Sequence, residues 1–370
     1  MNCGAKRELR KIRLADWVHL ARGVFEYNVT SRFRPLAPKV MTAVVTYRCN
    51  ARCAMCNIWH SPAHPEMSVE EFGRVLADPI FDTIERLTVS GGEPSLRTDL
   101  VALTGMFVER MRRLRALSLV SNGLLPERIL ADAEAMLAIA RPRNIGFNIS
   151  ISLDGVGTDH DRVRGVEGAF DKVLATLDGL KRLRQGHDFW MGVGFTLMRE
   201  NLTSAREFRC WAEEHDLEVG FVPVGFHGSY VSNLDLQDRI DFRAEEKDEL
   251  FAFMQELGTR RMLFDPSAFY WSDMVRVYRD GADRTTPCPY NMDGLALDCH
   301  GDVFYCLSTS KIGNCLSGRS VSEIYYDSDN LRYRAGAMRG DICSKCNSGC
   351  AVHVALKKDL KKYLRFLVTR

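Results

Sequence analysis

Three cysteines, Cys49, Cys53 and Cys56, stand in the spacing C-x3-C-x2-C directly after the apolar run at residues 40–45. Thiolates so close in sequence converge on one iron–sulfur cluster or one soft metal ion. A closed structural site wants four ligands; three on a four-iron cluster leave one iron open to something else. A second group follows far downstream: Cys288, Cys306 after the Gly301-Asp302 turn, then Cys343-x2-Cys346-x3-Cys350. Of the twelve cysteines only Cys3, Cys210, Cys299 and Cys315 lie outside these two sets. Such clustering in a chain whose start lacks an export-type apolar segment reads as metal sites rather than disulfides. A zinc site built from the same residues is the alternative chemistry. Between the groups lies Ser90-Gly91-Gly92-Glu93-Pro94. Its glycines remove side chains so that backbone groups can approach a ligand, and Glu93 is a carboxylate suited to a cation such as an ammonium.

Positioning these residues requires strands that end beside one another. From residue 40 the chain alternates the two periods: strands at 40–45, 87–90, 117–121, 145–153, 191–197 and 219–224, and helices at 98–113, 127–139, 168–183 and 203–215. Ser68 with Glu71 forms a capping box that opens a further helix. Repeated strand–helix units mean a parallel sheet with helices outside it, and ligands then bind at the carboxyl ends of the strands. Six units fall short of the eight of a closed barrel, so the expected fold is α/β, a partial (βα)6 barrel. The expected divisions are a basic helical extension at 1–39, the barrel at 40–225, a linker with a charged helix at 226–287, a cysteine-rich domain at 288–350 and a basic amphipathic helix at 351–370. The last helix is expected to present Val352, Leu356, Leu360, Leu364 and Leu367 on one face and Lys357, Lys358, Lys361, Lys362 and Arg365 on another. Hydrophobic residues at 46% allow a large core.

Net charge is only +2, which argues against nucleic-acid binding. It is unevenly placed: residues 1–48 carry ten Lys or Arg against three Asp or Glu, and residues 351–370 six against one. The body is therefore acidic and both basic segments suit a weak membrane-surface contact. No stretch approaches the ~20 apolar residues that span a bilayer, and a cytoplasmic location is expected.

The C-x3-C-x2-C loop after the first strand and the Gly-Gly-Glu-Pro after the second resemble the radical S-adenosylmethionine (radical SAM) superfamily. The resemblance implies that Cys49, Cys53 and Cys56 hold a [4Fe–4S] cluster whose open iron is chelated by S-adenosylmethionine. It further implies that Gly91, Gly92 and Glu93 lie near the methionine ammonium, and that Asn122 and the strand-four residues Ser152 and Asp154 lie beside cofactor or substrate. Arg164 (or Arg162) would pair with the methionine carboxylate. Met55 stands where the family usually has an aromatic residue. The second cysteine group resembles the auxiliary-cluster extension known as SPASM or, shortened, twitch. This implies one auxiliary [4Fe–4S] cluster held by Cys288, Cys306, Cys343 and Cys346, with Cys350 a further candidate. Cys299 and Cys315 are expected to pack, Cys315 being an outside candidate. With nothing after Cys350 to ligate it, a second auxiliary cluster is not expected.

By family chemistry, the expected activity is reductive cleavage of S-adenosylmethionine to a 5′-deoxyadenosyl radical. That radical takes hydrogen from a small-molecule or lipid-like metabolite, and the auxiliary cluster accepts the remaining electron in a net oxidation or rearrangement. An external one-electron reductant of flavodoxin or ferredoxin type is implied. The rival readings are a maturase acting on a ribosomally made peptide and a non-catalytic iron–sulfur or zinc protein. About 40 residues precede the first strand, fewer than the leader-binding domain many peptide maturases carry. No general acid or base stands out, though His160, Asp293 and Tyr290 are candidates near the site.

Overall fold

A computed structural model describes residues 14–61, 64–259, 266–349 and 356–368. Six strands, β1 (Val40–Val44), β2 (Arg86–Ser90), β3 (Ala116–Ser121), β4 (Gly146–Ser152), β5 (Trp190–Leu197) and β6 (Val219–Pro223), pair in parallel from first to last. Helices α1 (Leu14–Asn28), α2 (Val69–Val75), α3 (Leu100–Arg110), α4 (Pro126–Ala140), α5 (Thr158–Arg164), α6 (Ala169–Gly186) and α7 (Ala205–Glu214) precede or separate them. The partial barrel expected from the repeated units is therefore present, and the capping box at Ser68 and Glu71 opens α2 as predicted.

The sheet continues past these six strands. β7 (Gly294–Asp298) pairs in parallel with β1, and β8 (Asp302–Phe304) and β9 (Gly313–Asn314) follow antiparallel. The order is β6-β5-β4-β3-β2-β1-β7-β8-β9. The hairpin around Gly301 is as anticipated, but its first arm is also the neighbour of β1. The cysteine-rich segment thus grows directly out of the barrel sheet.

Strand alternation sorts the two faces. Leu87, Val89, Leu117, Leu119, Ile149 and Ile151 are buried in one continuous core against the helices. Each such side chain contributes about 1.5–3 kcal/mol on burial. The alternate positions Thr88, Ser90, Ser118, Asn148, Ser150 and Ser152 are half-buried and polar. That polar surface is the inner face of the open barrel, where Asn148 Nδ2 donates to Ser118 Oγ at 3.3 Å.

The outer elements differ from expectation at the second basic segment. Lys357 and Lys358 are buried, not on an exposed basic face, and the last helix begins only at Leu360 (Leu360–Val368). Lys358 Nζ donates to Asp293 Oδ1 at 2.6 Å and to the Pro289 carbonyl at 2.8 Å. Tyr27 of α1 donates to the same carboxylate. A buried ammonium needs such partners, and this one takes them from the segment beside Cys288. Leu364, expected on the packing face, is exposed, whereas Tyr363 packs on Phe269. Val352 lies outside the described residues. A helix at Ser267–Asp280, unforeseen in the sequence, supplies Phe269 and packs beside Ala244–Leu257.

Candidate active site

The loop carrying Cys49, Cys53 and Cys56 leaves the carboxyl end of β1 and is held from three sides. On the first, Gly92 N donates to Thr46 O and Glu93 N to Arg48 O, both at 2.8 Å. A Cβ at Gly92 would stand 2.2 Å from the Arg48 carbonyl, and one at Gly91 2.4 Å from that of Thr46. The two glycines are therefore needed to seat the cysteine loop itself, a role the sequence did not suggest. On the second side, Arg52 N and Ala54 N donate to the carbonyls of Arg164 and Val163 at 2.9 and 2.8 Å. Gly165, in the left-handed region at φ +63°, leaves room for Arg52.

The third side is a strap at residues 225–239 that follows β6. Asn57 N donates to Val231 O at 2.9 Å, Asn233 Nδ2 to Met55 O at 2.8 Å and Arg239 to Ala54 O at 2.9 Å. Tyr230 reaches under the loop, its hydroxyl donating to Gly91 O at 2.9 Å. No sequence signal singled out Tyr230, Asn57 or Asn233, because their partners are backbone carbonyls far away in the chain.

Glu93 is fully buried. Its Oε1 accepts from Ser121 Oγ at 2.9 Å and Ser95 N at 3.2 Å, and its Oε2 from Asn122 N at 2.7 Å. Three of about four acceptor positions are filled by the protein, so the carboxylate ties the end of β2 to that of β3. Burial pushes its pKa up to about 7 despite these hydrogen bonds. Asn122 in turn donates to Asn50 Oδ1 at 2.7 Å and lies 3.9 Å from Cys49 Sγ.

Arg164 is likewise committed within the protein. Its guanidinium pairs with the buried Asp154 carboxylate at 2.5 Å and lies 3.4 Å from Cys53 Sγ. Asp154 Oδ1 accepts from Thr196 N at 2.6 Å, which joins β4 to β5. The free fork foreseen for a methionine carboxylate is thus already engaged, with one arm directed at a thiol. Arg162, the other candidate, is exposed and pairs with Asp159 at 2.9 Å. Ser152 sits on the inner face, and its hydroxyl makes no hydrogen bond among the described residues.

Of the other candidates, His160 is buried with Nδ1 accepting from Asp154 N at 3.1 Å. Burial and the Arg164 charge push its pKa down to about 3, so it is a neutral turn-former. Asp293 lies at the amino end of β7, away from the cysteine loop, because its backbone carbonyl meets Lys39 N at the start of β1. Tyr290 does reach the barrel interior, its hydroxyl 2.6 Å from Thr42 Oγ1.

The downstream thiols fall into two classes. Cys306 and Cys343 each interact electrostatically with both Cys288 and Cys346, which groups the four. They lie where the two edges of the open sheet face each other: Cys306 follows β8, while Asn347, next to Cys346, donates to Pro223 O and Val224 O at the end of β6. Arg284 braces this set, donating to the carbonyls of Cys346 and Ser348 at 3.1 and 2.8 Å. Cys299 and Cys315 stand apart beside carboxylates, Cys299 near Glu66 and Asp298 and Cys315 near Asp298 and Asp302. Negative neighbours oppose a thiolate, so these two suit packing rather than ligation. Cys350 lies outside the described residues.

Among the described residues no three His, Cys, Asp or Glu side chains close to the distances of a single metal ion. The fit to a cluster lies instead in how each sulfur is dressed. The backbone N–H two residues on donates to Cys49 and Cys56 at 3.5 Å, to Cys288 at 3.3 Å and to Cys346 at 3.4 Å. Ser308 N serves Cys306 in the same way. Donors aimed at sulfur stabilise bound thiolate and tune its redox potential. Burial pushes the Cys56 and Cys343 thiols up to about 12, so binding iron would release protons from them. Beside Cys49 a cavity of about 450 Å³ opens, lined by Tyr47, Trp59, His64, Glu66 and His300 among others. Tyr47 stacks on His300 with ring centroids 5.2 Å apart and donates to Asp298 at 3.0 Å.

A three-thiol loop above a partial parallel barrel, locked by Gly-Gly-Glu-Pro, defines a radical SAM domain, and residues 43–205 match that superfamily. The chain carries a radical SAM domain, as its motifs indicated, and the superfamily's cofactors are a [4Fe–4S] cluster and S-adenosylmethionine. Among curated proteins it is similar to pre-heme d1 synthase of Dinoroseobacter shibae, 34% identical over 161 residues, 42% of this chain and 36% of that one. It is also similar to the mycofactocin maturase MftC of Mycolicibacterium smegmatis, 24% identical over 334 residues, 84% of this chain and 76% of that one. In fold it is similar to Streptococcus suis SuiB bound to S-adenosylmethionine, with a TM-score of 0.57 at 12% identity over 94% of this chain and 81% of that one. The chain spans less than half the length of the first curated relatives it matches. Among the described residues no helix is long and apolar enough to cross a membrane.

Proposed function

We propose that the protein is a radical SAM enzyme that abstracts hydrogen from an organic metabolite held between the barrel mouth and a single auxiliary cluster. The observation that carries this is the thiol loop itself: three sulfurs at the carboxyl end of β1, each touched by a donor. Ala51 N and Asn122 serve Cys49, Arg164 serves Cys53 and Ile58 N serves Cys56. Cys49, Cys53 and Cys56 would hold the first cluster, and Cys288, Cys306, Cys343 and Cys346 the second. When bound, these groups with S-adenosylmethionine supply a 5′-deoxyadenosyl radical for hydrogen abstraction and an acceptor for the electron left behind.

The chain's own residues orient and exclude. Glu93 and the glycines fix the loop, and Arg164 with Asp154 fixes the place of Cys53. The hydroxyl of Ser152, without a partner among the described residues, is left to meet cofactor or substrate. The strap at 225–239 covers the loop and shields it from water. An external flavodoxin- or ferredoxin-type reductant completes the cycle.

A second reading, a maturase acting on a ribosomally made peptide, is favoured by the likeness to MftC, which runs through 84% of the chain and so past the barrel. Anaerobic reconstitution tests the first reading: about eight irons per chain, four for each cluster, and 5′-deoxyadenosine release with dithionite are expected. Fewer than about four irons and no 5′-deoxyadenosine would refute it. Deuterium reaching 5′-deoxyadenosine from the peptide fraction of a labelled extract, and not from the small-metabolite fraction, would select the maturase.

A further inference from the structure

The amino ends of β1, β2 and β3, opposite the cysteine loop, gather cations. A cavity of about 470 Å³ there is lined by Arg22, Lys39, Arg112, Arg113, Arg115 and Lys357. Its two carboxylates, Glu26 and Glu85, both turn to Lys39. Arg112 reaches only the half-buried Asp82, at 3.5 Å, and among the described residues Arg22, Arg113, Arg115 and Lys357 have no carboxylate partner within ion-pair distance. Burial lowers the Lys357 pKa, and the Lys39 and Arg86 charges lower it further against the pull of Glu85. Like charges so crowded are relieved by an anion.

The same edge is apolar where α1 borders the cavity. Arg22, Phe25, Val29 and Arg32 recur at helical spacing and are all exposed. Phe25 is 61% exposed, and Phe33, just beyond, is 85% exposed. No exposed acidic residue lies between positions 20 and 36. A soluble anion would account for the cations but leave the aromatic stripe unexplained.

We propose that this end of the molecule docks on an anionic lipid bilayer, with headgroup phosphates in the cation-lined cavity and Phe25, Val29 and Phe33 in the interfacial layer. Docked so, the protein turns the Cys49 loop away from the bilayer. The inference does not depend on the reaction proposed above. Sedimentation with vesicles tests it, comparing phosphatidylcholine alone with phosphatidylcholine containing phosphatidylglycerol. Binding is expected only to the anionic vesicles and is expected to fall at high salt. A basic residue near such a surface is worth roughly a factor of five, so Arg112→Gln with Arg113→Gln should weaken binding about 25-fold. Phe25→Ser with Phe33→Ser should weaken it at every salt concentration. All four positions are exposed and remote from the thiols, so circular dichroism and 5′-deoxyadenosine release should not change. Equal binding to both vesicle types, or anionic binding indifferent to both double variants, overturns the proposal. So does stabilisation by inorganic phosphate, or capture of an acidic protein, without vesicle binding.

Discussion

Replacing Glu93 separates two roles that a sequence motif cannot. If this carboxylate serves chiefly a bound ligand, its removal leaves the cluster-free chain as stable as before. If it holds the ends of β2 and β3 together, removal is felt without any ligand. Glu93→Ala strips the acceptor from Ser121 Oγ, Asn122 N and Ser95 N in a fully buried place. Each orphaned donor costs about 1–3 kcal/mol, offset in part because a poorly solvated carboxylate is no longer buried. A net loss of about 3–6 kcal/mol is expected, a large share of the 5–15 kcal/mol typical of a folded domain. Glu93→Gln keeps two acceptor contacts through its amide oxygen but sets its NH2 against Asn122 N–H, so about 1–3 kcal/mol is expected. Urea unfolding of the cluster-free chain, followed by circular dichroism, reads both. Wild-type midpoints for both variants, with only S-adenosylmethionine binding lost, would refute the architectural role.

The same residue sets a pH dependence. Its folded pKa of about 7 exceeds the ordinary 4.5, so the folded state binds the proton more tightly. That stability is complete below about pH 4.5 and falls by about 3 kcal/mol as pH rises through about 7, a slope that urea titrations should find absent in Glu93→Gln. Cys343→Ala should lower iron by about four per chain while Cys315→Ala leaves it unchanged, read by iron assay after anaerobic reconstitution. Arg164→Met leaves Asp154 buried without its cation and should cost about 3–5 kcal/mol; adding Asp154→Asn should restore much of it in the same unfolding assay.

The barrel was legible because its strands repeat one periodicity and its helices another. Leu87 and Val89 against Thr88 and Ser90 already distinguish core from interior. β7 was not legible as a barrel strand: a five-residue run buried throughout has no face to read, and its partner β1 is some 250 residues away. The helix at Ser267–Asp280 mixes aromatic, acidic and basic residues, and its buried Asp273 accepts from Arg276 one turn on and from Thr285 and Thr286 beyond the helix, partners that the helical pattern alone does not announce. The cysteines and Glu93 were identifiable by type and spacing. What each polar group faces was not, since Arg164 meets Asp154 and Cys53, and Lys358 meets Asp293, through tertiary contacts.

The strap at 225–239 grips more than the first cysteine loop. Ser229 Oγ donates to Leu307 O and Thr309 O at 3.1 and 3.3 Å, and His227 lies 3.3 Å from Ser308, just past Cys306. One short segment is therefore knotted to the surroundings of both thiol sets. If iron is held by these thiols, its entry into either set would stiffen the strap and remove part of the ordering entropy that the other must lose. Loading would then be a cooperative event, with half-filled chains scarce during maturation, and damage to one centre would loosen its companion.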